Sequence, residues 1–279
     1  MSDETKTRRN FLALIASSAV AGGAYVLATN STNANQEQPE PTPVDQEQRE
    51  ATLVDAISRR DIVDVREYGA AVDGTTEDTL ALRRSIEAAA PGGSVRIPPG
   101  NMLVDRRYAP GAIQLTDAEG DISIIGSGPS RSRLVMRSGQ SDPHVLLQIV
   151  SESNQASPNV RVGNITLDGN RFEQNGGPGH GIRSLASGGH LTLDNCVIQN
   201  TWNAGVKPTG HMSVDIRRCV FRNCGNPDIG GAHAVSPNQQ SKQETNIRQC
   251  VFLNTAGADI DVGIDVDVDY VTCTIHRCY

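Results

Sequence analysis

The chain repeats a phrase, Cys196-Val197-Ile198-Gln199-Asn200, Cys219-Val220-Phe221-Arg222-Asn223 and Cys250-Val251-Phe252-Leu253-Asn254, with a weaker copy at Cys273-Thr274-Ile275-His276-Arg277. Successive cysteines stand 23, 31 and 23 residues apart. A period in the twenties that tolerates an insertion predicts a solenoid in which each copy is one coil. The segments ahead of the cysteines alternate apolar and polar residues (Leu191-Thr192-Leu193, Val214-Asp215-Ile216, Val268-Asp269-Tyr270), and β-branched residues with turn-forming Asn and Gly fill the rest. Each coil is therefore built of strands, and stacked coils of this kind make a parallel β-helix.

Equivalent positions of adjacent coils lie about 4.8 Å apart, so repeated residues form ladders along the axis. Cys196, Cys219, Cys250 and Cys273 are expected to form one internal ladder of reduced thiols. Asn200, Asn223 and Asn254 form a second at a turn, where each amide can bond its neighbour. With one Cys per coil, no Cys-x-x-Cys pair and no matching His row, these cysteines read as structural and not as metal ligands. Cys224 and Cys278 are assigned to neither ladder.

The amino terminus points to export. Thr7-Arg8-Arg9-Asn10-Phe11-Leu12 precedes a weakly apolar stretch to Ala28, followed by Thr32-Asn33-Ala34 as a cleavage site. Residues 1–34 resemble a twin-arginine export signal, short and weakly apolar for a spanning helix. Residues 35–60, rich in Gln, Glu and Pro, read as a disordered spacer. Residues 61–279 then form one domain. The net charge of −7 argues against nucleic acid and anionic membranes as partners. Oligomeric state is not encoded in any pattern here.

The domain opens with Asp64-Val65-Arg66-Glu67-Tyr68-Gly69-Ala70-Ala71-Val72-Asp73-Gly74-Thr75-Thr76-Glu77-Asp78-Thr79. It continues through Ala81-Leu82, Ser85-Ile86 and Pro91-Gly92-Gly93-Ser94-Val95-Arg96-Ile97-Pro98-Pro99-Gly100. Val65 to Tyr68 reads as a strand and Asp73-Gly74 as a turn. Thr76 or Asp78 would cap a helix with Leu82, Ile86 and Ala89 on one face, and Val95 to Ile97 would start the first coil. This opening closely resembles that of the pectate lyase superfamily, shared by polygalacturonase-like enzymes, mannuronan epimerases and phage tailspikes. The resemblance implies an all-β fold, a right-handed parallel β-helix (solenoid) with an N-terminal capping α-helix that covers the unpaired edge of the first coil. About six coils and a fragment are expected, Val160 to Gly169 opening one with Ile165 and Leu167 inward. Because the chain stops just after a strand and family members are commonly longer, truncation at the C-terminus is expected.

In this superfamily the outward side chains of one strand row form the working groove. The third strand of each coil reads as Gly179 to Arg183, Ala204 to Lys207, Ala232 to Ser236 and Asp259 to Val262. With Ile182, Val206, Val235 and Ile260 inward, Arg183, Lys207, Ser236 and Asp261 form an outward row. The family's lyases use a cation to neutralise the uronate carboxylate and a base, often Arg or Lys, to take the C5 proton. Arg183 and Lys207 are thus the catalytic candidates. Substrate contacts fall to His180, Trp202, His211 and Ser236. Asp259, Asp261 and Asp265 alternate with apolar residues and are the candidate ligands for Ca²⁺, the one cofactor suggested.

Gly179-His180-Gly181 is similar to the Gly-His-Gly of polygalacturonases, but the preceding Asp-Asp pair is missing, and an inverting hydrolase needs two carboxyl groups about 6.5–9.5 Å apart. Asp142-Pro143-His144 matches part of a mannuronan epimerase motif without its following acid. No nucleophile triad, phosphate loop or dinucleotide fingerprint is present. Three functions stand open: an exported protein acting on acidic polysaccharide, by lyase-type β-elimination if catalytic; a non-catalytic surface or binding β-helix; and a polygalacturonase-type hydrolase.

Overall fold

The structure is a computed structural model that describes residues 62–106, 111–140, 144–151, 158–175, 179–226, 233–239, 243–256, 263–264 and 271–278. The export segment and spacer lie outside the described residues. The strands fall into three parallel sheets. The first holds β1 (Ile62–Asp64), β3 (Ser94–Ile97), β6 (Ile122–Gly126), β9 (Asn159–Gly163), β12 (His190–Asp194), β15 (Ser213–Arg217), β18 (Gln243–Arg248) and β21 (Val271–His276). The second holds β2 (Asp73–Glu77), β4 (Gly100–Val104), β7 (Ser132–Met136), β10 (Thr166–Asp168), β13 (Val197–Gln199), β16 (Val220–Arg222) and β19 (Val251–Leu253). In the third lie β5 (Gly111–Leu115), β8 (His144–Val150), β11 (Gly179–Leu185), β14 (Val206–Gly210), β17 (Asn238–Gln239) and β20 (Gly263–Ile264). The chain visits the sheets in turn, each strand pairing with its counterpart one coil away, so the fold is a parallel β-solenoid.

Alternation inside each strand puts one face into the coil interior. In the first sheet Val95, Ile124, Val162, Leu193, Ile216 and Ile247 occupy one register column and are all buried. In the second, Leu134, Leu167, Ile198 and Phe221 do the same, with Phe252 stacked on Phe221 at 5.2 Å between ring centroids. Corners are made by residues in the left-handed region. Asn164, Asn195, Arg218, Gln249 and Arg277, with φ from 51° to 55°, link the first sheet to the second, and Asn200, Asn223 and Asn254 follow the second. Asn suits these corners because its short amide tolerates positive φ and bonds locally. Asn223 Nδ2 donates to Asn200 Oδ1 at 3.1 Å and Asn195 Nδ2 to Asn164 Oδ1 at 2.8 Å, the expected amide ladder doubled.

The thiol ladder holds for three members and is corrected at the fourth. Val197, Val220 and Val251 are in register, which aligns the preceding Cys196, Cys219 and Cys250, all buried and free. Cys273, however, lies within β21 opposite Thr245 in the first sheet. The left-handed corner of that coil is Arg277, so the residue equivalent to Cys250 is Cys278, whose thiol donates to Ile247 O as that of Cys250 donates to Ile216 O. Alternation alone gave Cys273 and Ile275 the same parity as a ladder phrase, and only the corner separates the two. Cys224 joins a further inward row after Thr201, both fully buried.

The domain opening also differs in detail. The strand is Ile62–Asp64, and Val65–Tyr68 is a 3₁₀ turn in which the Arg66 N–H donates to the Asp64 side chain. Asp73-Gly74, read as a turn, begins β2 (Asp73–Glu77), which pairs with β4 across a register shift. Helix α1 (Thr79–Ala89) buries Ala81, Leu82, Ile86 and Ala89 and packs against β1, β3 and β5. Asp78 precedes it without a side-chain cap, because its carboxylate instead accepts the N–H groups of Ala71 and Val72 at 2.8 and 2.9 Å.

Between the coil that runs from β13 and the next, which runs from β16, the length difference is confined to two turns. From Ile216 to Val220 and from Ile247 to Val251, across the first corner, the chain takes four residues in both coils. The eight extra residues of the longer coil enter on either side of the third sheet, six before it and two after.

Candidate functional site

The third sheet carries the row expected from the sequence. Ile182 and Val206 are paired and fully buried, and Val235 bridges Val206. The residues one step on point outward: Arg183 stands opposite Lys207, and on the other side opposite Gln148, which pairs with Gln114. The row thus runs Gln114, Gln148, Arg183, Lys207, and Ser236 extends it by register. Gln114 and Gln148 were not anticipated. They occupy the equivalent outward position of earlier coils, which the sequence placed less firmly because those coils lack the repeated phrase.

Arg183 and Lys207 are half-buried. Neither forms an ion pair among the described residues, and Arg183 Nε is buried without a hydrogen-bond partner there. Two cations in register about 4.8 Å apart repel, and an unmet buried N–H costs free energy. Both effects are relieved by an anion laid across the pair.

Other candidates are placed differently. Ser236 is in register but only 8% exposed, its side chain too short to rise from the sheet beside Lys207. His180, expected to contact substrate, lies inside β11 opposite Val145 and is 6% exposed, so it is a packed strand residue. Trp202 is half-buried in the turn before β14 and His211 is exposed in the turn after it. They therefore sit at opposite ends of one strand and form no common contact. Residue 144 begins β8 and pairs with Gly179, which brings the end of the Asp142-Pro143-His144 motif onto this same sheet. Asp259, Asp261 and Asp265 lie outside the described residues.

Among the described residues the outward positions of the third sheet carry no carboxylate, and no group of three or more His, Cys, Asp or Glu is placed to hold a metal ion. The side-chain oxygens on the far side of Arg183 from Lys207 are the amides of Gln148, which is 6% exposed, and, one coil further, of Gln114. These do not fit Ca²⁺, which takes hard, mostly anionic oxygen ligands.

A parallel β-solenoid with a cationic strand row is the class of protein defined here. A model of the family described as rhamnogalacturonase A/epimerase, pectate lyase-like, matches residues 62–279, and the chain belongs to that family. Mannuronan C5-epimerase AlgE3 of Azotobacter vinelandii is 32% identical over 109 residues, which is 38% of this chain and 6% of that protein. AlgE4 of the same organism is 30% identical over 114 residues, 40% of this chain and 20% of that protein. The solved A-module of AlgE4 superposes with a TM-score of 0.54 at 18% identity, covering 71% of this chain and 59% of that one, a likeness of fold. The chain thus spans a fifth or less of the length of these two curated relatives.

Proposed function

We propose that the chain acts on a uronate-containing polysaccharide bound along the third sheet, removing the C5 proton of one sugar residue. The observation that carries this is the in-register Arg183 and Lys207, without an ion-pair partner among the described residues, on a protein of net charge −7. Arg183, whose guanidinium stays charged, holds the substrate carboxylate in a planar fork. Lys207 stands on the same row as the candidate base for the C5 proton. The C–H electron pair passes into the carboxylate as an enolate that Arg183 neutralises. Collapse to a C4–C5 double bond expels the 4-oxygen, which takes a proton from water, completing β-elimination. Return of a proton to the opposite face of C5 would instead give an epimer, the reaction in the relatives' names. Hydrolysis is disfavoured because no pair of carboxylates faces this row among the described residues.

Export by the twin-arginine signal belongs to the same proposal, since such polymers lie outside the cell. A binding protein without turnover is the second reading, favoured by the absence of an acid on the described part of the row. Mannuronan, polygalacturonate and rhamnogalacturonan are incubated with the protein in deuterated buffer, with and without Ca²⁺. Ultraviolet absorbance reports unsaturated ends, and NMR reports deuterium at C5. Absorbance supports elimination, deuterium without cleavage supports epimerisation, and binding with neither supports the second reading. Absence of binding to all three polymers overturns the proposal.

A further inference from the structure

We propose that the outer face of the second sheet carries a separate binding site for a carboxylated sugar residue. Asp168 in β10 is 4% exposed and is saturated by four donors. Its Oδ2 accepts from Arg133 Nη2 at 2.5 Å and Gln199 Nε2 at 2.7 Å, and its Oδ1 from Asn200 Nδ2 at 3.0 Å and the Asn170 N–H at 2.9 Å. A buried carboxylate so fully bonded has no capacity left for a ligand. What it does is fix a guanidinium from one coil and an amide from another at chosen positions on the sheet surface. Arg133 uses one nitrogen in this contact and keeps further N–H groups for a second partner.

Beside this fixed group, Gln199 is in register with Asp168 on one side and Arg222 on the other. Arg222 is exposed and has neither an ion pair nor a side-chain hydrogen bond among the described residues. Arg133, Thr166, Val197, Gln199, Arg222 and Ser130 border a groove of about 430 Å³, within the size range of small-molecule sites. Its chemistry is mixed in a way that suits one kind of ligand. Arg222 offers a fork for a carboxylate, Gln199 Oε1 and the exposed Ser130 hydroxyl match ring hydroxyls while the Thr166 hydroxyl is donated to Pro129 O, and half-buried Val197 gives an apolar floor for the C–H face of a pyranose. A bare phosphate would use the arginines and leave the amide and the floor without partners. The site shares its ligand class with the third-sheet row but none of its residues, and it stands whether or not that row turns substrate over.

Calorimetric titration of the full chain with tetrasaccharides of galacturonate and of mannuronate tests this, with tripolyphosphate as a competitor. At least one tetrasaccharide is expected to bind in two components. Arg222→Glu should weaken one component by roughly tenfold or more, Arg222→Lys should restore part of it, and the melting temperature should stay unchanged because Arg222 is exposed. The double variant Arg183→Ala/Lys207→Ala should leave that component intact. Unchanged affinity in Arg222→Glu, loss of all binding in the third-sheet double variant, no binding of either tetrasaccharide, or displacement by tripolyphosphate at equal concentration would each overturn the proposal. If the double variant loses nothing while Arg222→Glu loses affinity, the third-sheet reading fails and this one stands.

Discussion

Arg183 and Lys207 face each other across β11 and β14 with Ile182 and Val206, their neighbours in sequence, paired beneath them in the coil interior. The same register that buries the two apolar residues forces the two cations together. Replacing Lys207 by Gln removes the repulsion, so stability is expected to rise by about 0.5 kcal/mol, while polysaccharide binding or turnover falls sharply. Thermal melts and the product assay on the same preparation check both halves. A loss of stability would show that Lys207 is held by contacts of its own.

The thiol ladder predicts a reactivity order. Burial pushes the Cys224 thiol up to about 12, and Cys219 and Cys250 are raised further, first by the hydrogen bonds between ladder thiols. Maleimide at pH 8 should therefore leave Cys219, Cys224 and Cys250 unmodified in the native protein, spare Cys196 because it is buried, and label Cys278 before these four, since it is only half-buried. Mass spectrometry of digested protein reads this directly. Cys219→Asp should cost about 4 kcal/mol, because it places a charge without a partner in the coil interior.

Asp64 gives a pH-dependent term. Hydrogen bonds from Arg66, and then from Arg96, hold its carboxyl well below the usual carboxylate range. A depressed folded-state value stabilises the fold above the unfolded-state pKa near 4, and the stabilisation is lost as pH falls through the folded-state value. Asp64→Asn is expected to lose roughly 1–2 kcal/mol at pH 7, and the gap to wild type should narrow progressively below pH 4. Denaturant melts across that range check the sign.

The corner at Asn200 separates two contributions. Its φ is 51°, its Nδ2 donates to Asp168, and its Oδ1 accepts from Asn223. Asn200→Gly keeps the conformation and loses the bonds, whereas Asn200→Val loses both. The Val variant is expected to be less stable than the Gly variant by about 1–2 kcal/mol, measured by chemical denaturation.

The repeated phrase made the solenoid legible, because a period with alternating strands leaves few other ways to bury Leu193, Ile216 and Ile247 together. It also carried the third-sheet row, since inward Ile182 and Val206 fix the outward direction of their successors. What it hid was anything decided at a corner. Cys273 and Cys278 differ in role only because Arg277, and no earlier residue, takes the left-handed conformation. The burial of His180 and Ser236 was likewise invisible, since neighbouring coils and not local sequence cover them. The second-sheet groove had a signal that was passed over. Gln199 and Arg222 are the fourth residues of successive copies of the phrase, hence outward and adjacent, but Arg133 and Asp168 come from coils without it.

The placement of the eight extra residues gives the molecule a division of labour between heritable parts. From β9 onward both turns that change length border the third sheet, while the corner between the first two sheets keeps its four residues; in the earlier β6–β7 coil that corner takes nine, from Ile124 to Arg133. Segments flanking the cationic row can therefore be lengthened, shortened or exchanged without shifting the packing of a single interior column. In laboratory evolution this makes the two flanking turns the natural place to graft diversity, with preference for one sugar polymer over another adjustable apart from the ability to fold.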